Sequence, residues 1–252
     1  MSLIFCLPHA GGGAHHYSGW APYFAPGIEW EPLDYAGHFS RMNEHAYTTF
    51  EHAVQDLTDE MISRADGRPF AVFGHSMGGA LAYEIAHLMV ERQMAQNLLF
   101  IAVSSALPPH RRDPDMLRYY ELSDRDFIQH LVDTDGISSQ LAELPELMSN
   151  YLPLIRKDYQ LYQQYQPQTR PLLFTPLFAL WGEQEEVHNL KMPSWVDLSR
   201  VFVGSGIYPG GHFYWRNCLN TVTADISTIV EQLAACQTTG INQSLGVSLC
   251  QF

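Results

Sequence analysis

The sequence predicts an α/β fold with a mainly parallel central sheet flanked by helices, and three observations carry that expectation. Short, continuous apolar runs at residues 3–7, 70–73, 98–103, 177–181 and 201–203 have the length and character of buried strands. Between them, apolar residues recur at helical spacing, as Phe50, Val54, Leu57 and Met61, as Leu81, Ile85, Leu88 and Met89, and as Leu219, Val222, Ile226, Ile229 and Leu233. A chain of 252 residues is long enough for one such core and does not require two. Residues 1–233 are therefore expected to form a single domain. The remainder, 234–252, is polar and lacks periodicity, so a loosely ordered tail is expected there.

One segment breaks the β-α-β rhythm. Residues from about 111 to 167 separate two core strands and read as helical: Ser123 is placed to cap a helix carrying Phe127 and Leu131, and Leu152, Ile155 and Tyr159 share a face farther on. An insertion of this size at the carboxyl edge of a sheet is well placed to be a lid. Met116, Tyr119, Tyr120, Met148 and Tyr162 could line a channel beneath it or simply pack it onto the core. Aromatic and methionine side chains at helical spacing are core more often than not.

The run Gly74-His75-Ser76-Met77-Gly78-Gly79 lies between the strand at 70–73 and the helical pattern that begins near Leu81. A serine on so tight a strand-to-helix turn is held in a strained conformation, and the surrounding glycines let neighbouring backbone pass close by. Such a turn exposes Ser76 Oγ at a helix N-terminus, which favours negative charge. A nucleophile needs a base, and the expected chain order is serine, acid, histidine. Of 12 histidines, only His212 sits late in the chain, after a strand-like run and in a glycine-rich turn, Gly210-Gly211-His212. His188, His110 and His75 are weaker candidates. His15-His16 has no spaced Cys, Asp or Glu partners, which argues for a polar loop over a metal site.

The acid is expected just after the strand at 177–181, where the chain reads Gly182-Glu183-Gln184-Glu185-Glu186 and holds no aspartate. A glutamate can orient an imidazole as an aspartate does. Glu185 is the first choice, Glu186 the alternative, and Asp197 a fallback; at least two of the three glutamates belong to a solvated turn. The first strand runs into Pro8-His9-Ala10-Gly11-Gly12-Gly13, a loop of the kind that donates one backbone N–H to an oxyanion, the other coming from the residue after the nucleophile. Ala10 and Met77 are the candidates for that oxyanion hole. Phosphate binding by the same loop is disfavoured, because the G-x-G-x-x-G spacing is not met and no lysine follows as in a P-loop.

Taken together, Leu7-Pro8-His9-Ala10-Gly11-Gly12, the Gly-His-Ser-Met-Gly-Gly turn and Gly-Gly-His-Phe-Tyr at 210–214 resemble the hallmark motifs of the type II thioesterases that accompany nonribosomal peptide and polyketide synthases. The motifs occur in family order, and the resemblance spans roughly residues 3–233. It implies an α/β-hydrolase fold with a helical lid and a serine-dependent hydrolase acting on acyl- or peptidyl-carrier proteins. The acyl groups would sit on phosphopantetheine arms, and their removal would be an editing step. No metal or organic cofactor is implied, and a monomer is the default. Two departures stand out. The family usually has Asp where this chain has Glu185. It also tends to show Pro-Gly-Arg before a second Arg in an early loop, whereas Ala36-Gly37-His38-Phe39-Ser40-Arg41 keeps only Gly37 and Arg41.

Bulk properties fit a single enzyme domain, with 46% hydrophobic and 16% charged residues. No run of eighteen apolar residues occurs, which argues against a membrane span, and the N-terminus lacks a signal-peptide pattern. The four cysteines, at 6, 218, 236 and 250, show no framework spacing, and Cys6 is expected as a buried thiol in a reducing cytoplasm. A net charge of −13 disfavours nucleic-acid binding. Three other functions stay open on the sequence: a small-molecule carboxylesterase, a chain-terminating fatty acyl-carrier thioesterase, and a hydrolase fold reused as a non-catalytic binding protein.

Overall fold

Residues 2–112 and 118–238 are described by a computed structural model. The strands are β1 (Ser2–Leu7), β2 (Ile28–Pro32), β3 (Phe70–His75), β4 (Leu98–Ser104), β5 (Leu177–Gly182) and β6 (Phe202–Tyr208). The helices are α1 (Phe50–Ala65), α2 (Met77–Glu91), α3 (Asp124–Asp133), α4 (Ser139–Ala142), α5 (Pro145–Gln164), α6 (Glu186–Lys191) and α7 (Trp215–Thr238). The six strands form one sheet in the order β2-β1-β3-β4-β5-β6, and every pairing is parallel. The expected parallel α/β architecture is therefore present.

Alternation along each strand feeds two separate cores. Leu3, Phe5, Val72, Ile101, Val103, Ala179 and Trp181 pack with α1 and α2 on one side of the sheet. Ile4, Cys6, Ala71, Phe73, Phe100, Ala102 and Leu180 pack with Trp20, Trp30 and α7 on the other. Successive side chains point to opposite faces, so a strand covered on both sides must be apolar throughout, which is why β1, β3, β4 and β5 read as unbroken apolar runs. Cys6 is fully buried, and burial pushes its thiol well above the ordinary range.

β2 and the second half of β6 carry no continuous apolar run, and neither is among the strands that the sequence predicts. β2 is an edge strand with one buried face. Trp30 points inward and stacks on Trp20 at 5.2 Å, while Glu29 and Glu31 point outward to Arg68 and Arg64, each at 2.6 Å. In β6 the apolar pattern fails at Gly204-Ser205-Gly206, yet its ladder with β5 continues to Tyr208. An edge ladder needs only one neighbour and no second buried face.

The order of connections positions the site. From β1 the chain crosses outward to β2, then returns through α1 to β3 on the other side of β1. The loops leaving β1 and β3 therefore diverge at a topological switch point, where open α/β sheets form their ligand crevice. The ends of all six strands open toward that carboxyl edge, and those of β1, β3, β4, β5 and β6 carry the candidate residues.

The insertion between β4 and β5 carries α3, α4 and α5. The Ser123 hydroxyl accepts from the Asp126 amide at the start of α3, as expected of a cap. Phe127, Leu131, Met148, Leu152 and Ile155 form a third, smaller core inside the insertion. Helix does not run throughout: after Gln164 the chain has no helix until β5. Arg112 fastens this junction, donating to the Tyr162 and Tyr165 carbonyls at 2.6 and 3.2 Å with its guanidinium over the Tyr162 ring. Of the residues that could have lined a channel, Met148 is buried in the insertion core, Tyr119 stacks on His130 and Tyr162 lies under Arg112. The Tyr120 carbonyl accepts from Arg156, and Met116 lies outside the described residues. At the C-terminus, α7 continues to Thr238, beyond the expected start of the tail, and 239–252 lie outside the described residues.

His87 on α2 is buried at 5% exposure beside Tyr83. Burial, aided by nearby Arg170, lowers its imidazole to about 4. The unfolded chain then binds a proton that the fold refuses, so stability is lost as pH falls from about 6.5 toward about 4. We expect the drop in Tm between about pH 7 and about pH 5 to be smaller in His87→Gln than in wild type, by about 2 °C. Parallel melting curves over that range check this, and an unchanged drop would mean that His87 takes up its proton equally in the folded and unfolded chain.

Candidate active site

Ser76 sits between β3 and α2 with φ +56° and ψ −117°, a conformation an L-residue adopts only under strain, of order 1–3 kcal/mol. The surroundings impose it. The Ser76 amide donates to the Ser104 carbonyl at 2.7 Å, and the Ser76 carbonyl accepts from the Gly79 amide at 2.9 Å as the helix begins. Gly78 lets the turn press against β1, since a Cβ there would lie 2.1 Å from the Leu7 carbonyl oxygen. The Met77 amide belongs to the open first turn of α2, where the helix dipole favours an anion.

The loop leaving β1 stands next to this turn, because Leu7 pairs with Gly74 in the sheet. A bond from the Gly12 amide to the His9 carbonyl at 2.9 Å closes it, with Ala10 second in the turn. Ala10 and Met77 thus come from neighbouring strand ends at the switch point, where a pair of oxyanion donors would have to be.

The loops after β5 and β6 are tied by two backbone bonds, from the Glu183 amide to the Tyr208 carbonyl at 2.9 Å and from the Gln184 amide to the Gly210 carbonyl at 3.0 Å. They bring His212 Nδ1 to 2.7 Å from Glu185 Oε1. The other carboxylate oxygen, Oε2, accepts from Ser105 Oγ at 2.6 Å and from the Gly182 amide at 3.0 Å. Glu185 is buried, whereas Glu186 is exposed at the start of α6. Asp197 lies on a short 3-10 turn, 3.7 Å from His110. Of the three acids considered, Glu185 meets the imidazole. A carboxylate can only accept here, so Nδ1 carries the proton and Nε2 is the basic nitrogen of neutral His212. The His212 ring lies 4.9 Å from that of His75, the residue preceding Ser76.

Two groups of contacting residues escaped the sequence reading. Ser105, at φ +46°, is the first residue past β4 and orients the acid. Its one legible signal was its place just beyond a buried strand, at the same edge as the other candidates. Tyr214 and Ser104 form the second group: Tyr214 Oη lies 2.6 Å from Ser104 Oγ, which lies 2.8 Å from His75 Nδ1. His75 is thereby fixed behind the turn. His9 contributes to the same cluster, with Nδ1 2.9 Å from Tyr17 Oη and its ring 4.8 Å from Phe213. Burial holds His9 well below the usual imidazole range. His16 is lowered to about 4 by burial and by His15. Both are neutral near pH 7 and add no positive charge beside His212. Among the described residues, no group of three or more His, Cys, Asp or Glu side chains is arranged to hold a metal. A cavity of about 500 Å³ opens beside these residues, lined by His16, Val132, Ile137, Leu141 and Arg216 among others.

A strained serine turn at one strand end and a histidine–carboxylate pair at two others, on a parallel sheet with a helical insertion, define an α/β hydrolase. Residues 3–233 match the Thioesterase domain family, and the chain belongs to it. The gramicidin S biosynthesis protein GrsT of Aneurinibacillus migulanus is 28% identical over 84% of this chain and 82% of its own. The crystal structure of ClbQ, from the colibactin nonribosomal peptide/polyketide pathway, superposes with a TM-score of 0.85 at 26% identity, over 93% of this chain and 98% of ClbQ. The type II thioesterase BorB, from the borrelidin biosynthetic cluster, gives 0.78 at 28% identity, over 91% and 92% of the two chains. Among the described residues, no helix is long and apolar enough to cross a membrane.

The two neighbouring glutamates should respond very differently to loss of charge. Glu185→Gln should lower kcat by about three orders of magnitude, because an amide can donate to Nδ1 and hold the wrong tautomer. Glu186→Gln should leave kcat within about twofold. Ser105→Ala removes one of the donors to the acid, equivalent to about 1.5 kcal/mol, and should lower kcat about tenfold. Steady-state hydrolysis of an activated acyl ester by the three variants reads all of these effects.

Proposed function

We propose that this chain is an editing thioesterase, which hydrolyses acyl groups from the phosphopantetheine arms of carrier proteins serving a nonribosomal peptide or polyketide synthase. The observation that carries the chemistry is the His212 Nδ1–Glu185 bond, because it leaves Nε2 as a base at the strand edge that exposes Ser76. Membership of the thioesterase domain family supports the reaction class, and likeness to ClbQ and BorB supports the carrier-bound substrate.

In this reading His212 Nε2 takes the Ser76 hydroxyl proton as Oγ bonds to the thioester carbon. The carbonyl oxygen becomes an oxyanion between the Ala10 and Met77 amides, each such donor being worth about 3 kcal/mol of barrier. The C–S bond breaks as the tetrahedral intermediate collapses, and the pantetheine thiolate leaves, taking the proton from His212. A thiolate is a good leaving group, so this proton transfer asks less of the imidazole than expulsion of an alkoxide would. His212 then deprotonates water, which attacks the acyl-serine, and collapse returns the proton to Ser76 and releases the free acid. Throughout, Glu185 stabilises the imidazolium and stays ionised.

Ser76→Ala should abolish acyl release from a loaded carrier protein, with retained hydrolysis removing the nucleophile assignment. Comparing one acyl chain as carrier thioester, coenzyme A thioester and simple ester tests the substrate. We expect the highest kcat/KM with the carrier thioester; preference for the simple ester would instead indicate a carboxylesterase.

A further inference from the structure

The insertion reaches the loop that carries Ala10 through a buried carboxylate. Asp158 lies on α5, is 4% exposed, and its Oδ2 accepts from the Gly11 amide at 2.7 Å and from His38 Nε2 at 2.9 Å. The other ring nitrogen of His38, Nδ1, lies 3.1 Å from the Ala36 carbonyl, which can only accept. Both nitrogens therefore donate, and His38 is an imidazolium paired with Asp158. Burial alone would lower its pKa, but the hydrogen bond and charge of Asp158, with the Ala36 carbonyl and Asp34, raise it above the ordinary value. The same face of α5 touches the loop a second time: a Cβ on Gly11, which has φ +76°, would lie 2.5 Å from Ile155 Cγ1.

The loop needs such a clamp. Ala10 is followed by Gly11-Gly12-Gly13, a run with little conformational preference of its own. In the turn closed between His9 and Gly12, a positive φ at the third position is only one of the conformations a glycine there can take. The Gly11 amide is the group whose direction distinguishes them, and Asp158 holds it. We propose that Asp158 is a positioning residue for the oxyanion hole: by fixing the Gly11 amide from the insertion, it sets the turn between His9 and Gly12, and with it holds the Ala10 amide, one peptide earlier, where the oxyanion forms. His38 makes this tolerable, since a lone buried carboxylate one residue from a developing negative charge would oppose it. The hole is then complete only while α5 is seated, which couples the insertion to the chemical step and not merely to substrate entry.

The inference rests on the serine-hydrolase reading, and the test separates the two. Wild type, Asp158→Ala, Asp158→Asn and the double variant H38L/D158L are assayed with an acyl p-nitrophenyl ester and an acyl pantetheine thioester. Serine labelling by a fluorophosphonate and Tm are measured on each. Acylation and deacylation both pass through an oxyanion, so kcat reads the hole whichever step limits. Asp158→Ala should lower kcat about 30- to 100-fold with KM within about twofold. Asp158→Asn keeps an acceptor for the Gly11 amide and should return to within about fivefold of wild type. H38L/D158L removes both charges together, which often spares stability; it should melt near wild type yet share the kcat loss of Asp158→Ala. A double variant that folds and keeps kcat within about twofold, or an Asp158→Ala effect confined to KM, overturns the proposal while leaving Ser76 in place. A wild-type protein inert to both substrates and to the fluorophosphonate overturns both readings.

Discussion

Parallel pairing throughout the sheet is the constraint on which the rest of this molecule depends. It sends the carboxyl ends of β1, β3, β4, β5 and β6 to one edge, and each delivers one part of the candidate site: the Ala10 loop, the Ser76 turn, Ser105, Glu185 and His212. The rings of His75 and His212, 137 positions apart in the chain, come within 4.9 Å of each other at that edge. The strained φ at Ser76 can persist because the Ser104 carbonyl, one strand over, holds its amide, and because Gly78 lets the turn lie against β1. A register slip in any of these ladders would disturb several parts at once.

The use of glutamate in place of aspartate is accommodated by the loop and not by the histidine. Its longer side chain leaves the chain just after β5 and is drawn back beneath it by the Gly182 amide, while Ser105 fixes the same oxygen from β4. One oxygen is thus committed to the scaffold and the other to His212. Glu183 and Glu186 lack these donors and face solvent. The contrast shows how one acidic stretch can hold a buried, histidine-bonded carboxylate beside ordinary surface charge.

Much of this was legible in the sequence, for definable reasons. Strands covered on both faces leave an unbroken apolar run, so β1, β3, β4 and β5 could be read to within a residue or two. Motif context led to Ser76, His212 and Glu185, the residues whose surroundings are described above. What the sequence could not carry were contacts made across long separations by unremarkable residues. Ser105 reads as one of two adjacent serines, and only the ladder between β4 and β5 gives it Glu185 as a partner. Asp158 reads as one polar position in an amphipathic helix, yet it is among the few buried carboxylates in the fold. β2 was missed because a single buried tryptophan between outward glutamates is too short a pattern to stand out from a loop.

The proposed reaction needs an alcohol, an imidazole, a carboxylate and two backbone amides to converge on one reacting carbon. A crystal structure of the protein inactivated by an acyl-mimicking alkyl phosphonate tests it most directly, since the adduct copies the tetrahedral intermediate. The account predicts a covalent bond from Ser76 Oγ to phosphorus and a phosphonyl oxygen within about 3 Å of both the Ala10 and Met77 amides. His212 Nε2 should lie within hydrogen-bond reach of the adduct, with the Glu185 contact intact. An adduct on another residue, or one on Ser76 whose oxygen points away from those amides, would contradict it.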